Sequence, residues 1–298
     1  MTAYGFLIYK LANIEYWNEL KKTFQEISPG RLILLMIVVL LMPLNWFLEA
    51  VKWQRLTEKS VVLSLKTSLK SVLAGLSTGY ITPNRIGDFA GRVLFLPKIH
   101  QLSGVVLSIV NSLTQNIVIA VFGLTGAVVY FTTFHSESNF SNFLIWIGAS
   151  FGASLLLYFT FPKLIQRIKT GKWSLKFQEI IKSMSGFDLW DLLVIILIST
   201  LRYLVFCSQY YLLLCFFEIE VPLQQAVFAV PAMYLLVTFT PSLAASEPAI
   251  RGSYAVLIFS VFSTNFIGIM LTGILIWLIN FVVPMVAGTV AIGRIKKF

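Results

Sequence analysis

Residues 31 to 50, 104 to 131, 143 to 162, 190 to 217 and 266 to 292 are apolar runs of about twenty residues or more. At about 1.5 Å per residue each is long enough to cross the hydrocarbon core of a bilayer as a helix. Two stretches between them break the pattern. Residues 61 to 103 are interrupted by Lys66, Lys70, Thr82-Pro83, Asp88, Arg92 and Pro97, and residues 223 to 264 by Pro231, Thr240-Pro241, Glu247-Pro248 and Arg251. A backbone in lipid must satisfy its own hydrogen bonds, so an interrupted segment persists at that depth only against protein or a wet cavity. Both stretches therefore read as re-entrant helical hairpins. Residues 1 to 30 differ again, with Leu11, Ile14, Trp17, Leu20, Phe24 and Ile27 at helical spacing and Glu15, Glu19, Lys21, Lys22 and Glu26 between them. That pattern predicts an amphipathic helix lying in the interface, ended by Pro29-Gly30, and it lacks the order of regions that marks a signal peptide.

Composition agrees. With 57% hydrophobic and 12% charged residues, and a mean hydropathy of +0.83, the chain has too few polar residues to cover a water-soluble core. The predicted fold is an all-α, polytopic integral membrane helical bundle with two re-entrant helical hairpins in an inverted-repeat arrangement. Residues 1–30 form the interfacial segment, and 31–298 a single transmembrane domain with a first repeat over about 31–131 and a second over about 143–292. The net charge of +10 bears on orientation. With 61 to 103 entering and leaving on one side, most of the basic residues fall on one face, from Lys52, Arg55 and Lys59 through Lys163 to Lys182 and on to Arg294, Lys296 and Lys297. The other face receives 132 to 142, without Lys or Arg, and 218 to 222, with Glu218 and Glu220. The positive-inside rule then places the C-terminus in the cytoplasm of a multi-pass protein of the inner membrane. Glu49, beside Lys52 and Trp53 near the end of its span, reads as an interface anchor.

The two broken stretches share a motif. Thr82-Pro83 is followed by Gly87-Asp88 and Arg92, and Thr240-Pro241 by Ser246-Glu247 and Arg251, so each has a small residue, an acid and then an Arg four positions on. Each is preceded by a long span and followed by another, entered from opposite sides. Related units of opposite topology with Pro- or Gly-broken helices are the sequence pointer to a substrate site in a carrier. Broken helices offer free N–H groups to negative charge, and Arg85, Arg92 and Arg251 add planar donors suited to phosphate. Asp88 with Arg92 and Glu247 with Arg251 can each pair on one helix face, so a purely structural role competes with a binding one. Arg202, about 18 Å into its span, must face the interior, with Gln209 two turns on along the same face. There it either serves a substrate or pairs with Glu247 or Asp88. His100 and His135 have no metal or triad partner nearby, and Cys207 and Cys215 read as packing residues, so no metal and no cofactor is expected.

These residues carry a resemblance. Asn45-Trp46 to Lys52-Trp53-Gln54-Arg55, then Gly79-Tyr80-Ile81-Thr82-Pro83-Asn84-Arg85-Ile86-Gly87-Asp88 with Arg92, is similar to the lysylphosphatidylglycerol synthase transmembrane (flippase-like) family. Leu201-Arg202-Tyr203 with Gln209, and Thr240-Pro241 through Glu247 to Arg251, resemble its later motifs, although Ser242-Leu243-Ala244-Ala245-Ser246 stands where the family has a Gly-rich stretch. The resemblance implies a bilayer domain that moves a lipid between leaflets. Nothing the size of a soluble aminoacyl-transferase domain follows Phe298, so lysyl-lipid synthesis is not expected, and Ala3 to Tyr9 would be the remnant of a further first span. The leading expectation is a non-enzymatic lipid flippase working by alternating access on an anionic or phosphate-bearing lipid, a membrane phospholipid or a polyprenyl-phosphate type. Its binding residues would be Arg85, Asp88, Arg92, Arg202, Gln209, Glu247 and Arg251; nucleic acid is not a partner, and a homo-oligomer is left open. An intramembrane lipid-modifying enzyme, with Asp88 or Glu247 as base, and a non-transporting scaffold of an envelope lipid or glycan pathway are the alternatives.

Overall fold

The computed structural model describes residues 28–134, 184–243 and 246–293, with isolated helical positions between 149 and 181. The amphipathic segment expected over 1–30, most of the span expected over 143–162, His135 and several cations between 165 and 182 lie outside the described residues. Among those described, every regular element is a helix. They are α1 (Pro29–Thr57), α2 (Leu65–Tyr80), α3 (Gly87–Val93), α4 (Gln101–Phe134), α5 (Leu189–Phe216), α6 (Leu223–Phe239), α7 (Glu247–Phe259), α8 (Phe266–Trp277) and α9 (Val283–Gly293). Four continuous stretches are long and apolar enough to cross a membrane: Pro29–Thr57, Lys98–Phe134, Leu189–Phe216 and Phe266–Gly293. They coincide with four of the five runs read from the sequence. Leu40 is 72% exposed and Trp190 72%. Such large apolar side chains projecting from spanning helices are costly in water and at home in lipid, so the chain is an all-α polytopic membrane protein.

Each broken stretch forms two helices joined by a break. In the first, α2 and α3 are separated by a short turn of helix at Pro83–Arg85, where Asn84 (φ 49°) and Arg85 (φ 59°) adopt the left-handed conformation. Asn tolerates that conformation through its short polar side chain, while Arg rarely adopts it. Ser64 caps the start of α2 by accepting from the Thr67 amide at 3.2 Å. At 16 residues α2 reaches about 24 Å, and α7, with 13, about 20 Å, both short of a core roughly 30 Å thick. Residues of type small-xxx-small bring α2 and α3 together. A methyl at Gly87 or Gly91 would overlap the Thr78 or Ala74 carbonyls, and one at Gly75 would overlap the Asp88 carboxylate. Backbones this close need glycine, as in membrane helix pairs generally. The junction is sewn by Thr78 Oγ1 donating to the Gly87 carbonyl at 2.7 Å, by the Gly87 amide donating to Thr82 Oγ1 at 2.7 Å, and by the Ser71 hydroxyl donating to the Arg92 carbonyl.

The chain divides into two compact units to which the long helices contribute in turn: Met1–Pro43, Ile119–Phe140 and Leu204–Val283 make the first, and Leu44–Val118, Ser141–Tyr203 and Pro284–Phe298 the second. In the first unit Tyr210 stacks on Phe259 with ring centres 5.6 Å apart, and the buried Tyr130 hydroxyl donates to the Ile258 carbonyl at 2.7 Å. Gly123 and Gly126 of α4 lie against Pro231, Leu235 and the Phe228 carbonyl of α6, with no room for a side chain. The second unit is built on Trp53, Leu56, Val72, Leu107, Leu192 and Ile195, all essentially inaccessible. There Gly288 of α9 seats on the Leu73 carbonyl of α2, and Ser77 donates to the Met285 carbonyl at 2.7 Å.

Candidate functional site

Three helix faces of the second unit carry polar residues in otherwise apolar surroundings. On α1, Asn45, Glu49 and Lys52 recur at helical spacing; on α4, Asn111 and Gln115; on α5, Ser199 and Arg202. One turn or two separates the members of each set, so each set projects from one face. Glu49 is the centre. Its Oε1 accepts from Arg92 Nη2 at 2.7 Å and from Asn111 Nδ2 at 2.8 Å, and its Oε2 from Lys52 Nζ at 3.2 Å and from Arg202 Nη1. All of a carboxylate's acceptor capacity is thereby filled.

The outer partners are equally specific. Arg92 Nε donates to Asp88 Oδ2 at 2.8 Å within α3, and the guanidinium lies 5.5 Å from the ring centre of Trp53. Arg202 Nε donates to Asn45 Oδ1 at 2.8 Å, and its Nη1 also reaches Gln115 Oε1 at 3.1 Å. Lys52 Nζ also donates to Ser199 Oγ at 3.2 Å and to the Asn111 carbonyl at 3.4 Å. Glu49 is 3% exposed, Lys52 0% and Arg92 5%. Charges removed from water to this extent are costly unless each is paired and hydrogen-bonded. Here each is paired, yet Arg92 Nη1, Asn45 Nδ2, Asp88 Oδ1 and Asn111 Oδ1 are buried without a hydrogen-bond partner in the described structure.

Of the residues expected at a site, Asp88, Arg92 and Arg202 come together here. The hub that joins them is Glu49, and the interface-anchor reading of that residue is overturned by its burial. Lys52, expected among the loop cations, is likewise buried inside the cluster. Arg202 is bound to Glu49 and Asn45 and interacts electrostatically with Asp88, one of the two partners expected for it, while the other, Glu247, belongs to the first unit. Arg85 stands at the turn before α3, half-buried, its Cβ facing Gly79. Gln209 belongs to the first unit, where its side-chain amide donates to the Val38 carbonyl at 2.8 Å. Glu247 and Arg251 also belong to that unit. They face each other on α7 at 3.9 Å, both buried, with the Arg251 guanidinium 5.1 Å from the ring centre of Phe281. Among the described residues no group of His, Cys, Asp and Glu is placed to hold a metal ion.

A polytopic helical membrane protein whose spanning helices converge on a buried, hydrogen-bonded ionic cluster is the class that fold and site define. The sequence narrows it further. Residues 3–288 match the model of the lysylphosphatidylglycerol synthase TM region, and the chain belongs to that family. The family places it among membrane proteins of lipid metabolism or transport. No curated protein and no solved structure matches the chain.

Proposed function

We propose that the protein is a lipid translocase, carrying a phosphate-bearing lipid between leaflets without covalent chemistry. The observation that supports this most directly is the ionic cluster around Glu49, which holds two guanidinium groups and an ammonium inside a spanning bundle. Intramembrane ionisable groups are expensive and tend to mark substrate paths. Arg92 and Arg202 offer planar, multidentate donors that suit a phosphate, and Glu49 and Asp88 neutralise them when the site is empty. In this reading α2 with α3 and α6 with α7 are hairpins that enter and leave the membrane on one side, and Glu247 with Arg251 is the second hairpin's counterpart of the Asp88–Arg92 pair. Within its own unit Arg85 guides the headgroup toward the Asp88–Arg92 pair, and Gln209 toward the Glu247–Arg251 pair, while the tails stay in lipid. The protein would sit in the inner membrane with its C-terminus in the cytoplasm.

The test is reconstitution of the full chain into phosphatidylcholine vesicles carrying lipids labelled on an acyl chain, with dithionite quenching to report leaflet exchange. Wild-type protein should accelerate exchange, and Arg202→Ala and Arg92→Ala should abolish the acceleration at equal incorporation. A new lipid product on thin-layer chromatography would replace the reading with an enzyme, and the absence of both exchange and product would leave a scaffold.

A further inference from the structure

The basic side chains that converge on the Glu49 carboxylate, Arg92, Arg202 and Lys52, are not chemically equivalent. A guanidinium keeps its proton in a protein, whereas a buried ammonium can give one up. Lys52 is the most enclosed of them, its side chain 0% exposed against 6% for Arg92 and 15% for Arg202. Its Nζ meets Glu49 Oε2 and Ser199 Oγ at 3.2 Å and the Asn111 carbonyl at 3.4 Å. Among the described residues the Ser199 hydroxyl has no other partner, so its O–H can turn toward Nζ. Both forms of the amine are thereby served. As an ammonium, Lys52 donates to all of these neighbours; as a neutral amine, it donates to the carboxylate and the carbonyl and accepts from the Ser199 hydroxyl. A carbonyl in place of that hydroxyl would face the lone pair with another acceptor.

The charged groups that act on Lys52 come from several helices. Glu49 of α1 favours the cation, while Arg92 of α3 and Arg202 of α5 oppose it, and α4 adds the uncharged Asn111 carbonyl. A phosphate seated on Arg92 and Arg202 brings negative charge into the same enclosure and offsets their opposition. A filled site therefore favours the ammonium more than an empty one does. Glu49 is a poorer proton carrier, because protonation would turn one of its oxygens into a donor facing groups that already donate to it. Asp88 is the rival, since its Oδ1 is buried without a hydrogen-bond partner in the described structure.

We infer that Lys52, with Ser199 as the hydroxyl that serves its neutral form, is the proton carrier of this site: an anion held by Arg92 and Arg202 draws a proton onto Lys52 Nζ, and release of the anion returns it. The proton comes from water on the side to which the site is open and leaves to water on the side of release. No other bond is made or broken. The inference rests on the translocase reading above and adds the coupling ion. Because the linkage is reciprocal, the proton favours the anion as much as the anion favours the proton, and the two travel in the same direction.

The experiment titrates the purified full chain in neutral maltoside micelles with short-chain phosphatidylglycerol, whose phosphodiester does not itself titrate near neutral pH. Calorimetry in buffers of different ionisation enthalpy, over about pH 6 to 9, counts the protons taken up on binding. The filled site holds more protons than the empty one, so affinity should fall as pH rises, by up to about tenfold per pH unit. Lys52→Arg fixes the charge and should bind with no uptake and no dependence on pH. Lys52→Met fixes the neutral state and should bind weakly, again without uptake; if either variant fails to fold, the other carries the test. In phosphatidylcholine vesicles with a pH gradient, net movement of labelled phosphatidylglycerol should run from the acidic to the alkaline side, beyond that in protein-free vesicles. Wild-type binding that takes up no protons would overturn the inference, and so would uptake that survives in Lys52→Met but is lost in Asp88→Asn, which assigns the proton to Asp88. Proton-linked binding with no exchange would overturn the translocase and leave the linkage standing. Exchange without linkage would do the reverse, and no binding at any pH would overturn both.

Discussion

Replacing Glu49 with Gln keeps the size of the side chain and removes its charge. Four donors now converge on this carboxylate, from Arg92, Asn111, Lys52 and Arg202. A glutamine offers one acceptor oxygen in place of two, and its NH2 group points a donor at cations. The cluster loses one of the two carboxylates set among Lys52, Arg92 and Arg202, and the loss is buried. Removing one partner of a buried ion pair costs about 3–5 kcal/mol, and Glu49 is a partner to three. Arg202→Gln acts in the opposite sense, since it leaves two cations against two carboxylates. Its cost is chiefly that of lost charged hydrogen bonds, about 1.5–3 kcal/mol. The double variant Glu49→Gln/Arg202→Gln removes one charge of each sign and should be less destabilised than the sum of the singles by about 0.5–3 kcal/mol. Equilibrium unfolding in mixed micelles of rising dodecyl sulfate content, followed by tryptophan fluorescence, gives all three values. Should Arg202→Gln prove as costly as Glu49→Gln, or the double variant be strictly additive, charge balance does not govern this cluster.

Gly91→Ala should destabilise by about 1–3 kcal/mol in the same assay, because its methyl meets the Ala74 carbonyl and the Thr78 side chain, and a backbone neighbour can yield only by moving α3. Since Asp88 and Arg92 ride on that helix, lipid exchange should fall more steeply than stability. Tyr130→Phe, which removes the hydrogen bond to the Ile258 carbonyl, should cost about 1 kcal/mol in the same assay. Lys59 donates to Asp191 at 2.8 Å with both side chains partly in water, so Lys59→Met should cost less than about 1 kcal/mol. That hydrogen bond raises the Lys59 pKa above its ordinary value. The contribution is therefore fully present below the ordinary lysine range, about 10.4, and is lost only as pH rises past it; a pH series of unfolding midpoints for wild type and Lys59→Met should run parallel from pH 6 to 9 and converge above.

Hydropathy alone located α1, α4, α5 and the α8–α9 stretch, because about twenty apolar residues in succession leave one economical arrangement in a bilayer. The breaks at Thr82-Pro83 and Thr240-Pro241 were legible for the complementary reason: proline removes an amide, and in lipid that loss must be answered locally. What the sequence did not disclose was that Arg202 binds Glu49. Its register on α5 says that it faces inward, but pairing across helices depends on how they rotate about their axes, and an apolar span carries little of that information. A weaker signal was present. Asn45, Glu49 and Lys52 form a polar stripe down one face of α1, and a stripe that is buried in lipid has to meet another of opposite character. Reading Glu49 by its distance from the span's end, as an anchor, ignored its alignment with Asn45 a full turn deeper.

The choice of side chains in that stripe favours the proposed binding site over a brace. If α1, α4 and α5 needed only to be held together, well-packed apolar residues would serve as well or better, since buried ion pairs are often no more stable than hydrophobic groups of the same volume. Nor would a brace leave donors and acceptors unpaired beside the charges, as at Arg92 Nη1, Asn45 Nδ2 and Asp88 Oδ1. Unfilled hydrogen bonds among buried charges weaken the empty protein, and on the proposed reading a bound anion would fill those of the donors. On the proposed reading the fourfold grip on Glu49 has a second meaning: the donors that hold its carboxylate in the empty site would hold a phosphate in the filled one.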